Sequence, residues 1–189
     1  MQMRTLMNCT LIALLPVVSG CAAVAIGGVA TGVLVAEDRR TVGTITEDQG
    51  IELRAASRIA ERVKDANINV TSYNRMVLLS GEVPNEAAKA EAERVARAVE
   101  NVRGVFNELQ VGGNSALQAR TNDAVITSKV KARFVDARSF SPLHVKVVTE
   151  AGTVFLMGMV RRQEAADATE VARTTGGVRK VVRLFEYLD

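Results

Sequence analysis

The chain has few residues of the kinds that perform chemistry at catalytic or metal sites. Its 189 residues include one histidine, two cysteines and no tryptophan. His144 alone cannot form a zinc site, and Cys9 lies near the N-terminus in a stretch that we expect to be removed. No G-x-S-x-G, phosphate-loop or dinucleotide-binding pattern is present. We therefore expect no catalytic residue, no metal site and no cofactor.

The first 20 residues have the pattern of a secretory signal peptide. Arg4 is followed by an apolar run from Leu11 to Leu15, which is too short to span a membrane, and then by Val18-Ser19-Gly20-Cys21. The last four residues resemble a lipobox, in which the cysteine thiol receives a diacylglyceryl group and becomes the mature N-terminus. We expect residues 1–20 to be a lipoprotein signal peptide and Cys21 to be the lipidation site.

The residue after Cys21 indicates in which membrane the protein is expected to be anchored. Lipoproteins held at the inner membrane often have aspartate at that position, and this chain has Ala22. By that resemblance we expect a protein anchored in the outer membrane by acyl chains such as palmitate and facing the periplasm. Several acyl chains give far more durable anchoring than one chain does.

Residues 21–47 are interpreted as the lipidated N-terminus and a linker. The segment from Ala22 to Ala36 is uncharged and glycine-rich, which fits either a membrane-proximal packing segment or a flexible tether. The stretch from Glu37 to Gly50 is polar and predicts a linker. Within it, Asp38-Arg39-Arg40-Thr41 is either a salt-bridged turn or a functional basic pair.

Charge is distributed unevenly along the rest of the chain. Residues 37–114 contain 11 basic and 13 acidic side chains, a balance of −2, whereas residues 115–189 contain 12 and 8, a balance of +4. The second half is therefore the candidate for contact with an anionic partner. Nucleic acid is not expected as that partner, because the chain carries an export signal, has only 4% aromatic residues and shows no groove-reading element.

One pattern occurs twice at a constant offset of 77 residues, in Ile68 to Val83 and in Val145 to Val160. The identical pairs are Val70/Val147, Val77/Val154, Leu79/Leu156, Gly81/Gly158 and Val83/Val160. Each copy alternates with period two on both sides of a turn, at Tyr73-Asn74-Arg75 or at Glu150-Ala151-Gly152, which predicts a β-hairpin. The glycine inside the second strand of each copy indicates close approach of a neighbouring element.

The elements around each hairpin are duplicated as well. A helical pattern precedes it, and a second helix and a closing strand follow it. The preceding helices are marked by Ile51, Ala55 and Ile59 and by Ile126, Val130 and Phe134; the following helices begin at Pro84-Asn85-Glu86 and Arg162-Gln163-Glu164; the closing strands cover Val105 to Val111 and Val181 to Leu188. A unit of about 65 residues is marginal alone, so we expect the two units to pack together.

The pattern V-x-V, turn, V-x-L-x-G-x-V, followed by an alanine-rich helix, resembles the BON domain. It departs from the usual pattern in the placement of the glycine-valine pair, at Gly104-Val105 in one copy and Gly177-Val178 in the other. Two copies behind a lipoprotein signal resemble the dual-BON outer-membrane lipoproteins of Gram-negative bacteria, which are associated with outer-membrane lipid maintenance and cell division.

The resemblance implies an α+β fold with two tandem BON domains, at residues 48–112 and 116–189. Each domain would run helix, strand, strand, helix, strand, with a three-stranded mixed sheet covered by two helices. In these lipoproteins the first helix of the second domain is associated with contact to anionic phospholipid. The resemblance therefore implies a non-enzymatic protein that supports the integrity of the outer membrane.

That helix is predicted to begin near Asn122-Asp123, a plausible capping pair. With Ile126, Val130 and Phe134 facing the core, an apolar strip edged with cations points outward, as contact with an anionic lipid surface requires. The predicted lipid-contact residues are Val125, Lys129, Lys131, Ala132, Val135 and Arg138. Val125 stands where an aromatic residue would be a better interfacial anchor.

Two other interpretations of the outward strip remain open. It could be the seam against the first domain, or it could bind a protein. In the second case the chain would be an interaction scaffold for the outer-membrane protein assembly machinery or for the cell wall.

Overall fold

The computed structural model describes residues 38–112 and 117–189. The predicted signal peptide, the lipidation site Cys21 and the segment from Ala22 to Ala36 lie outside the described residues. The predicted boundary between the two units, Gly112-Gly113-Asn114-Ser115, is described only at Gly112.

The described residues form one order of elements twice. The first repeat contains α1 (Val42–Arg62), β1 (Asn67–Tyr73), β2 (Met76–Val83), α2 (Glu86–Arg97), β3 (Gly104–Asn107) and β4 (Gln110–Val111). The second contains α3 (Leu117–Ala137), a 3-10 turn (Pro142–His144), β5 (Val145–Glu150), β6 (Thr153–Val160), α4 (Arg162–Arg173) and β7 (Lys180–Tyr187). In each sheet the hairpin is antiparallel and the closing strands lie parallel to its second strand. The predicted α+β class, with mixed sheets covered by helices, is confirmed.

Each repeat has its own core between its helices and its sheet. In the second repeat, Ile126, Val130 and Phe134 of α3 are fully buried against Val154 and Leu156 of β6. Ile51, Ala55 and Ile59 occupy the same places on α1. The spacing of every fourth residue places these side chains on one face of each helix, as the sequence predicts.

The strand glycines lie where another part of the backbone comes close. A Cβ atom on Gly81 would collide with the carbonyl oxygen of Asn67, and one on Gly158 with that of His144. Each oxygen belongs to the start of the neighbouring hairpin strand or to the turn before it. The predicted close approach is therefore confirmed in both copies.

A buried aspartate in the first helix of each repeat holds the hairpin turn. The Asp48 carboxylate accepts hydrogen bonds from the backbone amides of Asn74 and Arg75, at 2.8 and 2.7 Å. In the same way, the Asp123 carboxylate accepts hydrogen bonds from the backbone amides of Ala151 and Gly152, at 2.7 and 2.8 Å. All four turn residues have positive φ, between 46° and 72°, as in the tight hairpin turns that match strand twist.

Asp123 is thus not part of a helix cap, and that prediction is wrong. Helix α3 begins at Leu117, so Asp123 lies inside it, where its carboxylate reaches the turn. The repeated spacing of an aspartate three residues before Ile51 and before Ile126 is the sequence signal of this contact.

The predicted linker and the first closing strand also need correction. Helix α1 begins at Val42, inside the predicted linker, because the side chain of Thr41 accepts a hydrogen bond from the Thr44 amide and caps the helix. The closing strand of the first repeat is split into β3 and β4. The break faces Gly81, whose φ of +112° interrupts the regular course of β2.

The second face of each sheet is buried against the other sheet. Tyr73 and Leu78 of the first repeat pack with Phe155 and Met157 of the second, and all four side chains are at most 3% exposed. Polar contacts surround this apolar seam, including Lys146 to Glu52, Asn69 to Glu150, and Asn74 and Arg103 to Glu186. The expected packing of the two units is confirmed.

We expect Gly158→Ala to lower the free energy of unfolding by about 2 kcal/mol, because the new methyl group must push the backbone of His144 away. Chemical denaturation monitored by circular dichroism measures this loss. Gly176→Ala is the matched control, since a Cβ atom there meets nothing within 4 Å. Equal stability of the two variants would contradict the proposed close approach.

Candidate functional site

The outward face of α3 is exposed along its described length. The side chains predicted for lipid contact, Val125, Lys129, Lys131, Ala132, Val135 and Arg138, are all exposed. Val125 and Val135, the two larger apolar members, are 46% and 63% exposed. The structure thus places the predicted residues on one accessible surface.

Contacts on the inward and lateral sides of α3 hold this surface in place. The ring of Phe134 packs edge-to-face on Phe140, with ring centroids 5.0 Å apart. Arg133 donates hydrogen bonds to the carbonyl oxygen of Val171 and to the Thr175 hydroxyl, at 2.9 and 2.8 Å. Arg133 therefore ties α3 to the end of α4.

The charges on the outward face are not all of one sign. Lys129 and Lys131 lie on opposite flanks of the apolar strip, and Arg138 follows the end of the helix in a left-handed conformation, with φ of 53°. Asp136 is exposed one turn after Ala132 on the same side. The predicted set of lipid-contact residues does not include this carboxylate, which an anionic surface would repel.

The outward strip does not form the seam between the repeats. The seam is formed by the faces of the two sheets, around Tyr73, Leu78, Phe155 and Met157. Helix α3 covers the opposite face of its own sheet, so the exposed strip points away from the seam. One flank of the strip, at Lys131 and Val135, borders a cleft whose other wall is α1.

Comparison with known proteins settles the family. The BON domain family matches residues 47–113 and again residues 122–189. The chain belongs to the BON-domain family. Its two BON domains are the two repeats described above, and the predicted resemblance is confirmed.

Several known proteins are similar to this chain over most of its length. The outer membrane lipoprotein DolP of Haemophilus influenzae is 40% identical over 174 residues, covering 90% of each chain. A 21 kDa hemolysin of Actinobacillus pleuropneumoniae is 35% identical over 80% of each chain. Osmotically-inducible protein Y of Escherichia coli is 32% identical, over 74% of this chain and 72% of the relative.

A charged segment before the first BON domain is bound to the second BON domain. The Arg39 guanidinium donates two hydrogen bonds of 2.7 Å to the Glu164 carboxylate and one of 2.8 Å to the carbonyl oxygen of Met159. His144 Nδ1 lies 3.9 Å from the same carboxylate. The two partners of Arg39 lie 120 and 125 positions further along the chain.

The neighbouring residues hold this segment against the first BON domain. Arg40 pairs with Asp38 and Asp48, at 2.8 and 2.9 Å, and its guanidinium lies 3.9 Å from the centre of the Tyr73 ring. Burial acts to raise the pKa of Asp38, but hydrogen bonds from Arg40 outweigh it and hold that pKa below its ordinary value. The predicted salt-bridged turn is therefore present, and it contacts both domains.

The described residues offer no site for a metal ion. Within 38–112 and 117–189, no group of three or more histidine, cysteine, aspartate or glutamate side chains is arranged to hold one.

We expect Arg39→Gln to weaken the contact between the domains and to lower the free energy of unfolding by about 2 kcal/mol at neutral pH. Hydrogen bonds from Arg39 lower the pKa of Glu164 from 4.5 to about 2, against the effect of burial. A lowered pKa stabilises the fold above pH 4.5, and this stabilisation is lost as the pH falls toward 2. The variant should therefore lose less stability than the wild type over that interval.

Denaturant titrations at several pH values measure this difference. Arg173→Gln is the matched control, because its partner Glu170 is exposed and within the same helix. If both variants lost the same stability and kept the same pH dependence, the contact of Arg39 with Glu164 would not join the domains.

Proposed function

We propose that this protein is a non-enzymatic lipoprotein of the outer membrane that binds anionic phospholipid through α3 and supports the integrity of that membrane. The observation that carries the proposal is the exposed face of α3, with Val125 and Val135 between Lys129 and Lys131. Apolar side chains can enter the acyl boundary of a bilayer while the ammonium groups meet phosphates.

The rigidity of this face supports the proposal. Helix α3 is fixed by its buried side, by Asp123 at the hairpin turn and by Arg133 at the end of α4. A surface that is already ordered loses little conformational freedom on binding. The second BON domain also carries the positive balance of charge.

Anchoring at Cys21 would place this face near a membrane. A relative of 40% identity is named an outer membrane lipoprotein, and the sequence around Cys21 resembles a lipobox. None of the helices in the described ranges is long and apolar enough to cross a bilayer. We propose that acyl chains on Cys21 hold the protein at the periplasmic side of the outer membrane, concentrated where the cell divides, as the family resemblance implies.

Charge reversal of both lysines, Lys129→Glu with Lys131→Glu, should weaken binding to phosphatidylglycerol vesicles at least about thirtyfold. Each basic side chain near an anionic bilayer contributes about 1 kcal/mol. Vesicle flotation of the chain without residues 1–20 and with Cys21→Ser measures the affinity without the contribution of the signal peptide or of an attached acyl chain. The wild-type affinity should fall as salt is added.

Lys180→Glu with Arg183→Glu is the matched control, since it makes the same change in charge on exposed residues of β7. The lipid proposal fails if both double variants bind vesicles as tightly as the wild type. If crosslinking captures an outer-membrane assembly protein on α3 while vesicles do not bind, the helix is a protein-docking surface instead.

Asp136→Asn should strengthen vesicle binding about fivefold, because it removes a negative charge from the outward side of α3. Asp167→Asn, on the separate helix α4, should leave the affinity unchanged. Flotation at low salt compares the two variants, and equal effects would show that only net charge matters.

A further inference from the structure

A cleft between the first helices of the two BON domains borders the proposed membrane contact and shares Lys131 and Val135 with it. Its volume is about 530 Å³, which is within the range of pockets that bind small ligands. One wall is α1, with Ile45 and Gln49, and the other is α3, with Lys131 and Val135. The exposed strip of α3 therefore continues into the mouth of the cleft.

One part of the cleft lining is apolar. Its floor includes Phe134, Val145 and Val147, which are 1%, 5% and 6% exposed, and Leu143 lines it nearby. Phe134 is fixed by its edge-to-face contact with Phe140. A ligand that reaches this floor must be apolar at that end.

Arg40 and Lys146, which also line the cleft, already have partners. Arg40 is bound by Asp38 and Asp48. Lys146 donates hydrogen bonds to Glu52 and to the carbonyl oxygen of Ser72, at 2.8 and 3.2 Å. A polar ligand would have to break these contacts, whereas an acyl chain would leave them intact.

Lys131 also lines the cleft, but its contacts differ from those of Arg40 and Lys146. Its side chain is exposed at the mouth, and in the described part of the chain its ammonium group forms no ion pair or side-chain hydrogen bond. An ammonium group beside an apolar cleft matches a molecule with one anionic head group and one apolar tail.

We propose that this cleft binds a single anionic lysophospholipid, with its acyl chain on the floor formed by Phe134, Val145 and Val147 and its phosphate near Lys131. The proposal deepens the proposed function, on which it rests for the choice of lipid. The cleft would bind one lipid molecule per chain, in addition to the contact that the α3 surface makes with a bilayer.

The test uses the chain without residues 1–20 and with Cys21→Ser, together with lysophosphatidylglycerols of increasing chain length, each below its micelle-forming concentration. Calorimetry should show one saturable site whose affinity rises about fourfold for each added methylene group. Methyl signals of Leu143 and Val147 in NMR spectra should shift with the same dissociation constant.

Gln49→Trp should weaken this binding at least tenfold, because an indole on the exposed part of α1 would fill the cleft without entering a core. Ser57→Trp is the control, since it adds the same group to an exposed position on α1 that does not line the cleft. Lysophosphatidylcholine, which has no net charge, should bind the wild type more weakly than lysophosphatidylglycerol does.

Absence of saturable binding below the micelle concentration would overturn the proposal, and so would equal binding by Gln49→Trp and the wild type. Vesicle flotation of Gln49→Trp separates this site from the bilayer contact. If Gln49→Trp still floats with vesicles but no longer binds lysophospholipid monomers, the cleft is supported as a distinct site. If the wild type binds lysophospholipid monomers but does not float with vesicles, the proposed bilayer contact is wrong, whereas the cleft remains a lipid site.

Discussion

The contact between the two sheets is the constraint on which the rest of this structure depends. Each sheet is covered by helices on one face only, and its other face carries apolar side chains such as Leu78 or Phe155. A domain of about 65 residues would be only marginally stable with such a face exposed, because it buries too little surface on its own. Packing the sheets together gives both domains a second core. It also leaves the helices, including α3, on the outside of the pair.

This arrangement determines what the helices can contact. With the seam formed by sheets, the outward face of α3 needs no partner within the fold, and Val125 and Val135 remain exposed. Polar contacts around the seam, such as that of Lys146 with Glu52, fix the two domains relative to each other. The cleft between α1 and α3 exists because these two helices flank the same seam. The segment with Arg39 and Arg40 adds contacts to both domains just after the predicted tether.

Periodicity in the sequence predicts the elements and the inner cores well, because the constraints that create it are local. The hairpins, the core face of α3 and the close approach at Gly81 and Gly158 all follow from spacing and residue type. The packing of the two units was predicted but not the surface that forms it, although Phe155, Met157 and Met159 alternate with the core residues of β6. Contacts between distant residues, such as Arg39 with Glu164, leave little trace in local pattern. The contact of Asp123 with the hairpin turn leaves one signal, the aspartate that occurs at the same place in both repeats. The predicted lipid-contact residues could be placed on one helix face. The same periodicity places Asp136 beside them, although it is not in the predicted set, whereas the role of Arg133 emerges only from the structure.

We propose that α3 meets an anionic bilayer with its outward face. Backbone NMR spectra of the chain without residues 1–20 and with Cys21→Ser, recorded with and without phosphatidylglycerol vesicles, test this contact. Signals from residues 125–138 should broaden first, and phosphatidylcholine vesicles should leave them sharp. Binding that broadens signals elsewhere while those of 125–138 stay unchanged would contradict it.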